Sequence, residues 1–256
     1  MNKNFIAYHT LIRREILRIF RIWPQALIPP IITTVLYLTI FGNLIGSRLG
    51  SIAGDHQYIE FVIPGLIIMA IMTHSYENTV SSFFLAKFQR SIEELLVSST
   101  SNYVIILGYV SGGIGRGLVV GSLVYVSSMF FAYIPTQHII LLFIITILTS
   151  AIFSLLALLN AIFARSFDDI SWVPSFILTP MIYLGGVFFS IEMLPEFWRN
   201  LAIYNPVFHI ISVFRYAFLG TGSIKVYLSL LIMLVLAVLL FFITLKIFDK
   251  GIGLKQ

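Results

Sequence analysis

Between Arg116 and Arg165 the chain runs for 48 residues without one Asp, Glu, Lys or Arg. A hydrocarbon layer of ~30 Å is crossed by about 20 apolar helical residues, so this run suffices for two crossings. Its one polar break, Pro135-Thr136-Gln137-His138, supplies the turn between them. Further charge-free stretches hold 26 residues between Arg21 and Arg48, 16 between Glu60 and Glu77, 22 over 170–191 and 20 over 226–245. The second of these continues through the polar but mostly uncharged Asn78 to Ala86, which lets the same helix run on. Six spans are expected, at 24–45, 60–82, 110–133, 138–163, 170–190 and 225–246. With only 11% charged residues, against about 25% in soluble domains, the fold class is an all-α polytopic membrane protein with one transmembrane domain over 1–256.

Six spans put both termini on one side of the membrane, and the basic residues indicate which side. Lys3, Arg13, Arg14, Arg18, Arg21, Lys87, Arg90, Arg165, Lys246, Lys250 and Lys255 share the side of the termini, 11 of the 16 Lys and Arg. Arg48, Arg199, Arg215 and Lys225 fall opposite, and Arg116 lies in or beside span three. Both termini are therefore expected in the cytoplasm, and the net charge of +5 reads as an orientation signal with no nucleic-acid partner. The chain has no cysteine, which removes disulfides, thiol catalysis and thiolate metal sites. Met1 to Arg21 carries five basic residues and no apolar stretch bordered by small residues, so no cleavable signal peptide is expected.

Three segments between the spans are more than plain loops. Residues 1–23 are expected to hold an amphipathic helix in the cytoplasmic interface, with Phe5, Ile12, Ile16, Ile19 and Phe20 apolar and Arg13, Arg14, Arg18 and Arg21 basic. Residues 87–102 form the most charged patch in the middle of the chain and read as a short exposed cytoplasmic helix ending in a Ser/Thr/Asn turn. Residues 191–223 join spans five and six on the outer side, with Pro195 and Pro206 placed to start helices and Gly220 and Gly222 to end one. The apolar stretch 206–219 rises only ~21 Å as a helix, so it can enter the membrane and return but not cross it.

No G-x-x-x-x-G-K-[ST] phosphate cradle is present; the run Ser111 to Gly117 lacks its Lys-Ser/Thr end. H-E-x-x-H, G-x-S-x-G and G-x-G-x-x-G are absent too, and neither a catalytic residue nor a metal site is expected. Gly113, Gly117 and Gly121 repeat every four residues and read as a helix-packing face. Arg116 beside them is placed about one turn from the cytoplasmic edge, within reach of snorkelling, if span three begins near Gly112. Thr73 to Thr79 is a polar stretch that should face other helices or water. Within it Glu77 is the strongest candidate for a functional intramembrane charge, beside two structural readings, an ion pair with Arg116 and exposure at the inner interface. His74 reads either as a proton relay or as a hydrogen-bonded core residue. Asp168 and Asp169 are expected to serve the start of span five.

The stretch Lys87 to Ser98 followed by Gly108 to Gly117 resembles the second-to-third-span region of type-2 ABC exporter permeases, in particular the YadH-like branch. Thr179 to Ser190, with Pro180, Met181, Gly185 and Gly186, then Leu194-Pro195, Asn205-Pro206 and Phe214-Arg215, is similar to the family signature around span five and an external re-entrant helical hairpin. Ser99-Thr100-Ser101 stands where that family often has prolines. The resemblance implies a bacterial inner-membrane half-transporter: two copies form a homodimer, and an ABC ATPase subunit dimer carrying ATP and Mg docks beneath. It implies that the charged helix at 87–97, within the coupling-helix loop 87–102, is the coupling helix, with Lys87, Phe88, Arg90, Ile92, Glu93, Glu94, Leu95 and Leu96 seated on that ATPase. The cargo implied is an amphipathic, lipid or glycan-type substrate moved out of the cytoplasm. A contrasting class, a secondary transporter or channel driven by an ion gradient through Glu77 or His74, would be hinted at by paired broken helices in two similar halves. No convincing internal repeat is seen.

Overall fold

The computed structural model describes residues 3–45, 57–220 and 226–253. Arg48, Lys225 and Lys255, which enter the charge count above, lie outside the described residues, as do 221–223 at the end of the expected hairpin. Helix α1 (Lys3–Arg21) is followed directly by α2 (Trp23–Tyr37), which continues as a π-helical stretch over Leu38–Ile45. Then come α3 (Tyr58–Phe88), the short α4 (Ser91–Val97), α5 (Asn102–Ser128) and α6 (Ile139–Phe163). Helices α7 (Phe167–Val173) and α8 (Thr179–Leu184) are joined through a π-helical turn, Pro174–Leu178. A 3-10 turn over Ile191–Met193, α9 (Glu196–Tyr204), α10 (Pro206–Leu219) and α11 (Val226–Lys250) complete the described chain.

Among the described residues, five helical segments are long and apolar enough to cross a membrane, in α2, α3, α5, α6 and α11. The expected fifth span, 170–190, takes a different form: Phe167 to Leu184 is helical but interrupted. Pro174 and Pro180 cause the interruption, since each removes a backbone donor from the helix. The Thr179 hydroxyl donates to the carbonyl of Pro174 at 2.9 Å, and the turn widens there to π geometry.

Helix α3 is the hub. It packs against α5 and α6, while α1 lies along α5 and α11 against α6. Two faces of α5 make this possible. On one, a Cβ placed at Gly108 would lie 2.8 Å from Leu11 and one at Gly112 2.7 Å from Glu15, so α1 is received on bare backbone. On the other, a side chain at Gly113 would collide with Ser154 and Thr79, at Gly117 with Ser75 and Ser150, and at Gly121 with Ile71. Small residues thus let α3, α5 and α6 approach at backbone distance, as membrane helices do when lipid supplies no hydrophobic drive. Ser75, Asn78, Thr79, Thr149, Ser150 and Ser154 line the seam, and all are buried.

Candidate functional site

Beyond the end of α3 the chain turns sharply at an elbow into α4. Arg90 turns the chain in the left-handed region (φ 59°), which a non-glycine residue visits at a cost. Helix α4 then leaves α3 as a seven-residue piece whose Ile92 is 1% exposed and pins it to the core. Glu93 and Glu94 point outward and make no ion pair among the described residues, and Leu95 and Leu96 are half-buried. Val97 is 89% exposed and extends the outward face; its place at the end of an exposed apolar run was the available signal.

Two residues expected on a free docking helix sit elsewhere. Lys87 and Phe88 are the last residues of α3, and Lys87 is only 5% exposed. Its ammonium group donates to the carbonyls of Ile162 (2.5 Å) and Ala164 (2.9 Å) at the end of α6. The correction has a plain cause: a helix C-terminus leaves carbonyls without partners and carries partial negative charge, so it attracts a cation. Phe88 remains exposed and its ring lies 5.2 Å from that of Phe167.

On α1, Leu11, Glu15 and Ile19 are buried. Glu15, which the residue pattern had not singled out, accepts a hydrogen bond from the Ser82 hydroxyl at 2.8 Å and pairs with Arg14 (3.2 Å) and Arg18 (3.8 Å). Arg18 also donates to the Asn78 carbonyl (3.2 Å) and the Ser81 hydroxyl (2.8 Å). Burial holds the Arg18 guanidinium below its ordinary pKa. Arg13 and Arg21 are exposed. The interface helix is therefore latched to α3 by a carboxylate set among its own arginines.

His74, Glu77 and Arg116 are brought together. Glu77 Oε2 lies 2.9 Å from His74 Nδ1 and 3.5 Å from Arg116, whose guanidinium is also 3.3 Å from His74 Nδ1. Arg116 is the fifteenth of the 27 residues of α5, not one turn from its end, because the helix begins at Asn102. The ion pair with Glu77, one of the readings set out for that residue, is present at 3.5 Å. Asp169 forms a capping box with Ser166 and accepts from the backbone N–H groups of Arg165 (2.8 Å) and Ser166 (3.0 Å), which hold its carboxyl below the usual range. Among the described residues no group of three or more His, Asp or Glu could hold a metal ion.

The residues quoted for the outer signature converge on one knot. Asn205 caps α10 by accepting from the Val207 N–H at 3.0 Å, and its amide donates to the Met181 carbonyl at 2.6 Å. Pro180 opens α8 beside Met181, and Leu194-Pro195 leads into α9. Arg215 donates to the carbonyls of Phe61 (3.2 Å), Gly186 (2.8 Å) and Val187 (3.4 Å), with its guanidinium 3.6 Å from the centre of the Phe61 ring. Gly186 has φ +83°, a conformation that frees its carbonyl for this contact, and a Cβ at Gly185 would lie 2.7 Å from Ile211.

Residues 6–219, from α1 to the end of α10, match the ABC-2 type transporter family. The chain belongs to this family. The inner membrane transport permease YadH of Escherichia coli (strain K12) is 47% identical to this permease over 256 residues, the whole of both chains. Nodulation protein J of Neorhizobium galegae is 25% identical over 239 residues, covering 93% of this chain and 91% of its own. That of Rhizobium meliloti (strain 1021) is 26% identical over 213 residues, covering 82% and 80%. The ABC-2 chain is thus a transport permease, a multi-pass protein of the inner membrane, and not itself an enzyme.

Proposed function

We propose that this permease is the membrane half of an ATP-driven exporter that moves an amphipathic, lipid or glycan-type substrate out of the cytoplasm. The observation that carries the reading is α4, a charged exposed helix rooted in the most buried span, α3. A chain without a phosphate cradle needs work delivered from outside, and such a helix is where it can be delivered. Two copies form the pore, and two copies of a separate ATPase, holding ATP and Mg, dock beneath. Phe88, Arg90, Glu93, Glu94, Leu95, Leu96 and Val97 form the docking face, with Lys87 and Ile92 as its roots and α1, through Arg13, Arg14, Arg18 and Arg21, as its brace. The broken helix α7–α8 makes a sixth crossing, both termini are cytoplasmic, and α9–α10 is the external hairpin at the exit. Closure of the ATPase subunits pushes α4 and shifts the spans between two packings.

The test is co-purification with an ABC ATPase encoded in the same organism, comparing the wild type with Glu93→Lys and Glu94→Lys. The charge-reversed permeases are expected to lose ATPase binding and ATP-dependent transport while keeping their fold. Full binding and coupling in both variants would sink the docking role. The His74–Glu77–Arg116 cluster favours a second reading, coupling to an ion gradient. Transport in vesicles that persists under an ion gradient with ATP withheld, and stops in Glu77→Gln, would select it.

A further inference from the structure

A cavity of about 280 Å³ opens where α1 meets the elbow between α3 and α4. Its walls include Arg14, Glu15, Arg18 and Arg21 of α1 and Gln89 and Ser91 of the elbow. Three guanidinium groups against one carboxylate give the lining a net positive charge. Glu15 accepts from Ser82 and Arg14 through Oε1, its Oε2 has no hydrogen-bond partner and lies 3.8 Å from Arg18, and Arg18 spends two donors on α3. Arg21, by contrast, makes no hydrogen bond or ion pair among the described residues.

Two features set the depth of this cavity. Opposite its buried face, α1 exposes Phe5, Ile16, Leu17 and Phe20, an apolar surface that places the helix in the plane of a membrane interface. Trp23, 54% exposed, begins the first span two residues after Arg21, and tryptophan settles at the headgroup level. A cationic cavity at that level faces phosphate before any other anion. We infer that it binds the phosphate of an anionic phospholipid headgroup in the cytoplasmic leaflet. The guanidinium forks of Arg18 and Arg21 donate to the phosphate oxygens, and the Gln89 and Ser91 side chains close the site from the elbow. The lipid thereby bridges the interface helix to the root of α4. The leaflet rests on the orientation proposed above; the site itself rests on the cavity.

The purified full-length chain is reconstituted in phosphatidylcholine vesicles containing a trace of spin-labelled phosphatidylglycerol or spin-labelled phosphatidylcholine. The motionally restricted fraction of each label is read by electron paramagnetic resonance. The restricted fraction is expected to favour phosphatidylglycerol, and Arg21→Gln to cut that preference roughly tenfold, the factor equivalent to losing one charge-assisted hydrogen bond of about 1.5 kcal/mol. Arg13→Gln removes the same charge from α1 outside the cavity and is expected to stay near the wild-type value. Equal losses in the two variants, or none in Arg21→Gln, overturn the site in favour of diffuse attraction. Release of the label by inorganic phosphate, beyond that caused by sodium chloride at equal ionic strength, overturns the lipid as occupant and assigns a free anion. No ATPase takes part in this readout, so its failure leaves the exporter reading standing, and the reverse also holds.

Discussion

A lysine at the end of a span ordinarily reaches for water, but Lys87 reaches inward. It lies on the face that also carries Val80, Phe83 and Phe84, all buried, so its stem is held in the core and its ammonium group meets the last carbonyls of α6. Replacing it with Met keeps the stem and removes both donors. Lys87→Met is expected to lower stability by about 1–3 kcal/mol, the cost of leaving buried carbonyls unpaired, read as a drop in Tm of the detergent-solubilised protein. Lys87→Arg is expected to recover most of it. The sequence did contain the clue, since Lys87 keeps the helical spacing of the buried aromatics. What hid it was the charge itself, which in a membrane chain ordinarily marks the edge of a span. Arg116 lies deeper in its helix than a start near Gly112 would place it, because the polar Asn102 and Tyr103 conceal the true start of α5.

Whole helices were easier to read than their interruptions. The limits of α1 and α6 agree with the expected segments to within about two residues, because charge and Pro-rich breaks bound them sharply. The stretch around Pro174 and Pro180 was read as one span on hydropathy, although both prolines are plain in the sequence; apolar length outweighed the backbone donors they remove. At the head of that broken helix the Ser166–Asp169 box sets a pH dependence. The folded-state pKa of Asp169 is lowered by the N–H groups of Arg165 and Ser166, so its contribution is present above the ordinary Asp value of ~3.9 and is lost as pH falls through the depressed one. Amide exchange at Arg165 and Ser166, corrected for intrinsic rates, is expected to accelerate below that value. Asp169→Asn should remove the pH step.

At the scale of the whole molecule, apolar character and burial run in opposite directions among α3, α5, α6 and α11, while α2 is as little buried as α11 and no more apolar than α3. Helix α11 is the most apolar span and among the least buried, while α3, which carries His74, Glu77 and Asn78, is the most buried. This inverts the soluble rule because lipid, not the protein interior, is the most apolar surrounding. It also explains why counting charges located the spans but could not order them around a centre. Val238, at the midpoint of α11 and half exposed, tests the point: Val238→Arg is expected to weaken insertion of that helix by about 2.5–3.5 kcal/mol, measured as the inserted fraction in a glycosylation-mapping assay. Arg215, Asn205 and Gly186 were legible as a set of residues, and only the folded chain reveals that Asn205 is tied to the Met181 carbonyl and Arg215 to that of Gly186.

The contact between Lys87 and α6 has a mechanical consequence. Two long rods can slide past one another, but here the C-terminal ends of α3 and α6 are pinned by a single ammonium group at the point where α4 departs. A load on α4 therefore meets a yoke instead of a hinge. It is shared between α3 and α6, and the two helices are expected to move as a pair.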